Sequence, residues 1–471
     1  MQGSVIHRGR LIVVLVIVAA AALVLPAASF GAAGSLDRSF DGNGRLTIKV
    51  ARRSRSNSFG VSRLLTAATA SAAAPDGELV IADDRRVFRY RANGRPRRSF
   101  GGHGRVAIPT PAGMSFQLAG VAVDSRDRVL VAGTTEPTEA TGGSRDARVS
   151  VHRFMPNGKL DASFGSRGLA GSQLGPVEAT GLAVDSHDRP VVTGLSALTP
   201  SFCNSTPVYL NTTVVARLTV GGDPDPAFGG GSGTFSDPFE DPRLPTLTAN
   251  GNGIVYISAP EQRCAWWVGH GAGGAPEASL LSSSGSLARR FPVRPGEPYG
   301  FGLEGLLEVT SLAVDRQGRI VILMTAVPPE GGDEILQEVR RLLPDGTPDP
   351  QWQTWIRDIT GWGSEQPAEA VTTDRRNRVI LAGSLLHGEG PTETRVFAAE
   401  RFSAAGKQQS WFGDDGVATA WFGKRTAATA TQVHVDSRGR IVLGGTVETL
   451  RQHRPSTDYR LVFARFLGGR R

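Results

Sequence analysis

Five aspartates recur at regular intervals, Asp124, Asp185, Asp315, Asp374 and Asp436, and a repeated carboxylate is what a metal site would need first. Metal ligands must converge on one point. One carboxylate per repeat instead spreads them around a rim. Each opens an Asp-x-x-Gly/Asp/Asn-Arg segment, where a carboxylate accepts backbone N–H groups of its own turn. A structural role is expected, and the same holds for Asp37, Asp161, Asp225 and Asp349. Asp41-Gly-Asn-Gly starts like a calcium loop, but Arg52 stands where the bidentate glutamate belongs. The glycine-rich pieces at Gly101 and Gly229 join strand to strand, whereas a phosphate cradle needs a following helix. The Gly-Lys pairs at 158, 406 and 423 lack the Ser/Thr of a P-loop. Neither a Gly-x-Ser-x-Gly elbow nor a His-Glu-x-x-His pair occurs. His103, His152, His187 and His434 fall at dispersed repeat positions. The residues assign no catalytic group, no metal and no cofactor.

One further cluster stands out. Cys203 and Cys264 are 61 residues apart, in long insertions of adjacent repeats, and Trp266, Trp267 and His270 follow the second. The two thiols either form a disulfide joining the loops, as an oxidising compartment allows, or stay free. The two tryptophans either offer a stacking platform for a sugar or cover the inserted loop. Trp266, Trp267 and His270 are the candidate ligand-binding residues.

These residues must be positioned by a repeat. A Gly-x-Leu-Asp-x-Ser-Phe-Gly-x-x-Gly motif returns with aromatic anchors at Phe40, Phe100, Phe164, Phe228, Phe291, Trp352 and Phe412. Successive anchors differ by 60, 64, 64, 63, 61 and 60 residues, and a glycine precedes each by six. Between them lies a second motif, GVAVDSRDRVLVAG from Gly120 being one copy. It is two short apolar runs around a turn, a hairpin signature. A third run leads into the aromatic motif and a fourth leaves it, so each repeat supplies four short antiparallel strands. The expected fold is all-β: a single seven-bladed β-propeller of four-stranded antiparallel blades. The segment from Gly34 begins midway through a repeat, and LVFARFLGGRR stops where that segment would follow. The N-terminal strand is therefore expected to be the outer strand of the last blade, closing the ring.

Composition places the chain. Lysine occurs only at 49, 159, 407 and 424, leaving 48 of 52 basic residues as arginine, so the +8 charge reads as a compositional bias. Scattered arginines are a poor nucleic-acid footprint. Two cysteines exclude a disulfide-dense scaffold or a four-cysteine metal site. Arg8 and Arg10 precede an apolar run from Leu11 to Leu25, with Pro26 and small residues after it. That is the pattern of a signal peptide over 1–33, or of an uncleaved N-terminal anchor. The propeller is expected over 34–471, secreted or on the extracytoplasmic surface, with the membrane reached only through the N-terminal segment.

The two alternating motifs resemble the delta-60 repeat family, tandem repeats of exported bacterial proteins, over essentially all of Gly34 to Arg471. The resemblance implies a propeller-like scaffold and transfers no active site. The copies at Phe291 and Trp352 lose the Gly-x-x-Gly after the aromatic. The expected function is an exported, non-catalytic, monomeric binding scaffold for a cell-surface glycan or an extracellular protein. Within a repeat, the loops after the second and fourth strands vary in length while the other two turns are uniform, so recognition is expected on the variable-loop face. The alternative is a propeller hydrolase, lyase or lactonase with its site near the axis, built from one residue per blade.

Overall fold

The computed structural model describes residues 32–49, 69–74, 76–138, 147–175, 177–196, 199–203, 206–210, 212–237, 247–250, 253–258, 277–292, 306–327, 336–352, 355–358, 368–387, 394–449 and 459–469. Strand β1 (Arg45–Lys49) comes first. A four-stranded sheet follows, β2 (Ala70–Ala73), β3 (Leu79–Ala82), β4 (Arg86–Tyr90) and β5 (Arg105–Ala107). The second sheet holds β6 (Met114–Val123), β7 (Val129–Pro137), β8 (Arg148–Phe154) and β9 (Leu169–Ala170). The third begins with β10 (Val177–Val184) and β11 (Pro190–Ser196). A separate hairpin, β12 (Thr199–Cys203) and β13 (Thr206–Leu210), interrupts it before β14 (Thr213–Arg217) and β15 (Thr234–Asp237). The fourth is β16 (Leu247–Asn250), β17 (Gly253–Ser258), β18 (Glu277–Leu281) and β19 (Leu287–Pro292). The fifth is β20 (Leu306–Val314), β21 (Ile320–Val327), β22 (Leu336–Leu342) and β23 (Trp355–Asp358). Last come β24 (Ala370–Thr373), β25 (Val379–His387), β26 (Thr394–Phe402), β27 (Val417–Ala420), β28 (Thr426–Val435), β29 (Ile441–Thr449) and β30 (Tyr459–Phe466). No α-helix occurs among the described residues.

The chain is all-β, a propeller arrangement of small antiparallel sheets. Hydrogen bonding draws five separate four-stranded blades rather than the seven expected. The last strands, with β1, form one eight-stranded sheet. The cause is local. Strand β27 covers only Phe397–Glu400 of β26, and the uncovered Arg395 makes a single parallel bridge to Ala427 of β28. The expected closure is present: β1 pairs antiparallel with β30, Arg45 opposite Ala464 and Lys49 opposite Arg460. The innermost strands β2, β6, β10, β16, β20, β24 and β28 each neighbour the next, and β28 neighbours β2.

Strand burial follows from this stacking. Each sheet is covered on both faces by its neighbours, so central strands are continuous apolar runs rather than alternating ones. Leu79–Ala82 and Ile320–Met324 are buried throughout. The core is a series of clusters between sheets, such as Phe100 with Val129 and Val131, or Val191 and Phe228 with Ile254. At the seam Phe40, Leu46 and Ile48 pack on Leu79, Ile81 and Phe88.

The turn chemistry is legible residue by residue. The fourth turn position takes positive φ at Asp127, Asp188 and Asn377, and at Gly77, Gly318 and Gly439. Only Gly, Asn and Asp visit that region readily, which explains the Gly/Asp/Asn alternation. The glycine before each aromatic anchor also has positive φ, +85° at Gly158. A Cβ there would lie 2.7 Å from the Gly101 nitrogen of the preceding sheet. That closeness lets the Gly101 N–H donate to the Asn157 carbonyl at 2.9 Å, and Gly165 and Gly229 repeat the bond to the sheets after theirs.

The arginines, read from composition as a bias, turn out to organise the interior. Arg89, Arg153, Arg217, Arg341, Arg401 and Arg465 are among the most deeply buried large side chains, each on the third strand of its unit. Arg153 Nε donates to Asp161 Oδ2 at 2.9 Å, its guanidinium lies 4.3 Å from the Phe164 ring centre, and Nη1 donates to the Val220 carbonyl of the next sheet. Asp161 also faces Arg128 at 3.5 Å, and Arg128 Nε donates to Asp124 at 2.7 Å. The ladder Asp124–Arg128–Asp161–Arg153 thus joins one hairpin turn, one aromatic anchor and the adjacent sheet. Asp185–Arg189–Asp225–Arg217, Asp315–Arg319–Asp349–Arg341 and Asp436–Arg440–Asp37–Arg465 repeat it.

The exceptions keep the pairing rule. In the first sheet Glu78 replaces the turn arginine and Arg97 replaces the aspartate, and Glu78 receives both Arg89 (2.7 Å) and Arg97 (2.6 Å). In the fourth sheet Leu281 pairs with Ile254 as Phe154 pairs with Val129, so Leu280 stands in the arginine's place. There the aspartate position, three residues after Gly285, is Ala288. On β26 the aspartate is Gln409, whose Oε1 accepts from Arg401 Nε at 2.7 Å. Burial, with Arg378 nearby, pulls the Arg401 guanidinium down to about 9.

Two outcomes test this frame. Gly158→Val should cost roughly 1–3 kcal/mol in denaturant unfolding, since it adds backbone strain to a clash. Arg217→Leu alone should cost about 3–5 kcal/mol by leaving buried charge unpaired. Combining it with Asp225→Ala should recover much of that loss in the same measurement, as the fourth sheet does naturally.

Candidate functional site

The ladders settle what the repeated aspartates do. Asp124 Oδ1 accepts the N–H of Arg126 (3.0 Å) and of Arg128 (2.9 Å), as expected of a turn carboxylate. For Asp225, burial alone would raise the carboxyl. The Ala227 N–H, Arg217 and Arg189 outweigh it and hold the group below its usual value. Contact between Arg128 of a hairpin turn and Asp161 of an aromatic turn puts the uniform turns on one face. Trp266, Trp267, His270 and Cys264 lie outside the described residues, as does the side chain of Cys203; the disulfide and the aromatic platform are therefore not placed. The backbone of Cys203 ends β12, opposite Thr206, in the hairpin inserted between β11 and β14. Phe291 is on β19.

Two polar clusters were not found from sequence. The first bridges the innermost strands at the seam. Gln432 Nε2 donates to the Thr69 carbonyl at 2.7 Å, so its Oε1 faces Ser71 and accepts the hydroxyl proton. Ser71 Oγ therefore receives the proton of His434 Nε2, 2.7 Å away. Burial pulls His434 down to about 4 against the opposing Ser71 contact, which keeps the ring neutral. A serine nucleophile would instead give its proton to the imidazole. Here that proton is committed to an amide oxygen, so the arrangement is a latch between strands. His152 is likewise neutral: burial lowers it to about 4, its Nε2 contacts the Pro109 carbonyl at 3.0 Å, and Phe116 meets it edge-on.

The second cluster lies on the variable-loop face. Glu178 is the second residue of β10 and Glu136 the last but one of β7, which brings two carboxylates of adjacent sheets to the same face. Burial first, and Glu136 second, push the Glu178 carboxyl up to about 7. A half-buried carboxyl poised near neutrality can hold or release a proton under ordinary conditions, a property often found at functional sites. Only the folded neighbourhood creates it; nothing in the local sequence around Glu178 marks it. On the same face, Trp421 is 41% exposed beside His387, ring centres 5.7 Å apart.

No protein-family model matches the chain, and no curated protein matches it in sequence. Among solved structures, the polysaccharide lyase Uly1 is 7% identical, with 90% of this chain and 98% of that one covered, at a TM-score of 0.46. A gluconolactonase of Xanthomonas campestris is 13% identical, covering 84% and 85%, at 0.32. A protein of unknown function from Dyadobacter fermentans is 12% identical, covering 76% and 97%, at 0.41. These likenesses carry no argument about activity.

The Glu178 environment has a measurable signature. A carboxyl raised in the folded state favours folding while it is protonated, and that contribution fades as pH rises from the ordinary glutamate value towards about 7. Glu178→Gln should therefore raise Tm at pH 8 more than at pH 5 in parallel thermal melts. Equal shifts at both pH values would contradict the raised carboxyl.

Proposed function

We propose that this chain is an exported, non-catalytic binding scaffold of the delta-60 repeat type, engaging a cell-surface glycan or an extracellular protein through its variable-loop face. The eight-stranded sheet then counts as two blades held by one bridge, making seven in all. Residues 1–33 serve as a signal peptide or anchor, and the ring acts as a monomer outside the cytoplasm.

The observation that carries this reading is the division of labour between the two faces. On the uniform face, repeated carboxylates and arginines are consumed by the ladders that hold neighbouring sheets together. The opposite face bears the inserted hairpin β12–β13, the Glu178–Glu136 pair and the exposed Trp421. Recognition belongs where side chains are not already spent on the frame. A second reading, a hydrolase, lyase or lactonase, draws support from one feature, the Glu178 carboxyl near neutrality beside a second carboxylate.

A glycan array and an extracellular-protein array probed with the purified chain test both readings. Replacing 199–210 by a short Gly-Ser turn should abolish the binding seen. Arg126→Ala, which removes a side chain 68% exposed on the opposite face, should leave it unchanged. Binding that survives the loop replacement and falls with Arg126→Ala would overturn the face assignment. Turnover of an array glycan, lost in Glu178→Gln, would favour the enzyme.

A further inference from the structure

An open groove of about 650 Å³ runs along the outer edge of the ring, between the N-terminal segment with β1 and the turn and strand ending in β27. It is lined by the aromatic turn of the N-terminal segment and by β27, and reaches the variable-loop face only at the Trp421 carbonyl. Its cause is side-chain size: β27 turns only Ala418 and Ala420 into the core it shares with Val462 and Ala464. Two small residues fill little of the space between neighbouring outer edges.

The lining is polar and mixed. Arg38 and Arg45 stand on one wall with Ser35 and Asn43, and Asp414 and Thr419 stand on the other. Arg45 is half-buried and fixed, its Nη1 donating to the Trp421 carbonyl. Its Nε is buried and has no partner among the described residues. An arginine pinned at one nitrogen holds its positive charge in a fixed place on the groove wall, where an incoming carboxylate would complement it. Trp411, 43% exposed, stands two residues before Gly413 of the lining: a Cβ placed on Gly469 would lie 3.5 Å from its ring and 2.6 Å from Ala33 of the wall, and its indole lies over Arg401 at 4.7 Å. Of the four exposed large apolar side chains among the described residues, Trp411 and Trp421 are the two near the groove.

We propose that this groove is a binding site for an acidic glycan, a chain of uronate sugars. Arg45 and Arg38 take the carboxylates, whose charge the two guanidiniums complement. Asp414, Asn43 and Ser35 take sugar hydroxyls, which need both acceptors and donors. Trp411 offers an apolar face to a sugar ring, already held rigid by Arg401 on its other side. A neutral glycan would leave the arginines unanswered, and a hydrophobic ligand would strand every polar group in the lining.

Titration of the full chain with oligogalacturonate and with its fully methyl-esterified form tests the assignment. The free acid should bind at least tenfold more tightly than the ester, and its Kd should rise with salt. Arg45→Ala and Trp411→Ala should each weaken binding about tenfold or more, with Tm recorded for both. Arg38→Ala, at an exposed position with no bond to lose among the described residues, should weaken binding at unchanged Tm. Arg316→Ala, which removes an exposed arginine elsewhere, should change nothing. Equal affinity for acid and ester, undetectable binding of both, or full affinity in Arg38→Ala and Trp411→Ala would each overturn the site. Loss of uronate binding on replacing 199–210 instead would move recognition to the loop face, supporting the earlier reading against this one.

Discussion

A guanidinium taken out of water must be answered, and the whole ring is arranged around doing so. Each third-strand arginine is met by a carboxylate or amide at Nε and a carbonyl of the next sheet at Nη1, and five of the six also lie over an aromatic ring. One side chain thereby couples a turn, an anchor and a neighbouring unit. Isolated buried charge is costly, whereas apolar replacement of a whole pair is often neutral. The variations obey that asymmetry. The first sheet swaps the signs of two positions, and the fourth drops arginine and aspartate together at Leu280 and Ala288. Only Arg401 departs, with Gln409 as a neutral partner, and its guanidinium holds its proton less tightly than usual.

Much of the frame was legible from one dimension because its constraints are local. A glycine at positive φ and an aromatic six residues later cannot be replaced freely, so Gly158 and Phe164 keep their spacing from repeat to repeat. The hairpin turn tolerates only Gly, Asn or Asp at its fourth place. The pairing of β1 with β30 could be foreseen because the two ends spell one repeat. The arginine ladder was hidden by abundance: with 48 arginines in the chain, six in phase do not stand out. The fused eight-stranded sheet was equally hidden, because it depends on how far β27 extends along β26.

The candidate sites were much less readable, for a physical reason. Glu178 acquires its raised carboxyl from burial in the folded chain, with Glu136 of β7 adding to it, and Ser71 meets His434 across 363 positions of sequence. The edge groove exists because alanines at 418 and 420 fail to fill a space whose other wall lies near residue 40. No spacing rule within a repeat encodes contacts of that kind. The cluster that sequence did single out, around Trp266, falls outside the described residues.

Closure by β1 sets a direction in time. Arg465 takes its carboxylate from Asp37, 428 positions earlier in the chain, so that clamp cannot form until everything between them has been made. The sheets between can stack as they emerge, each on its predecessor, through contacts of about one repeat in range. Strand β1 must wait as an unpaired edge, with Asp37 an unspent charge in water. Loop-closure entropy for so long a span grows only logarithmically, so the delay is one of synthesis more than of search. Until β30 arrives, β1 remains an unpaired strand edge open to pairing with other chains.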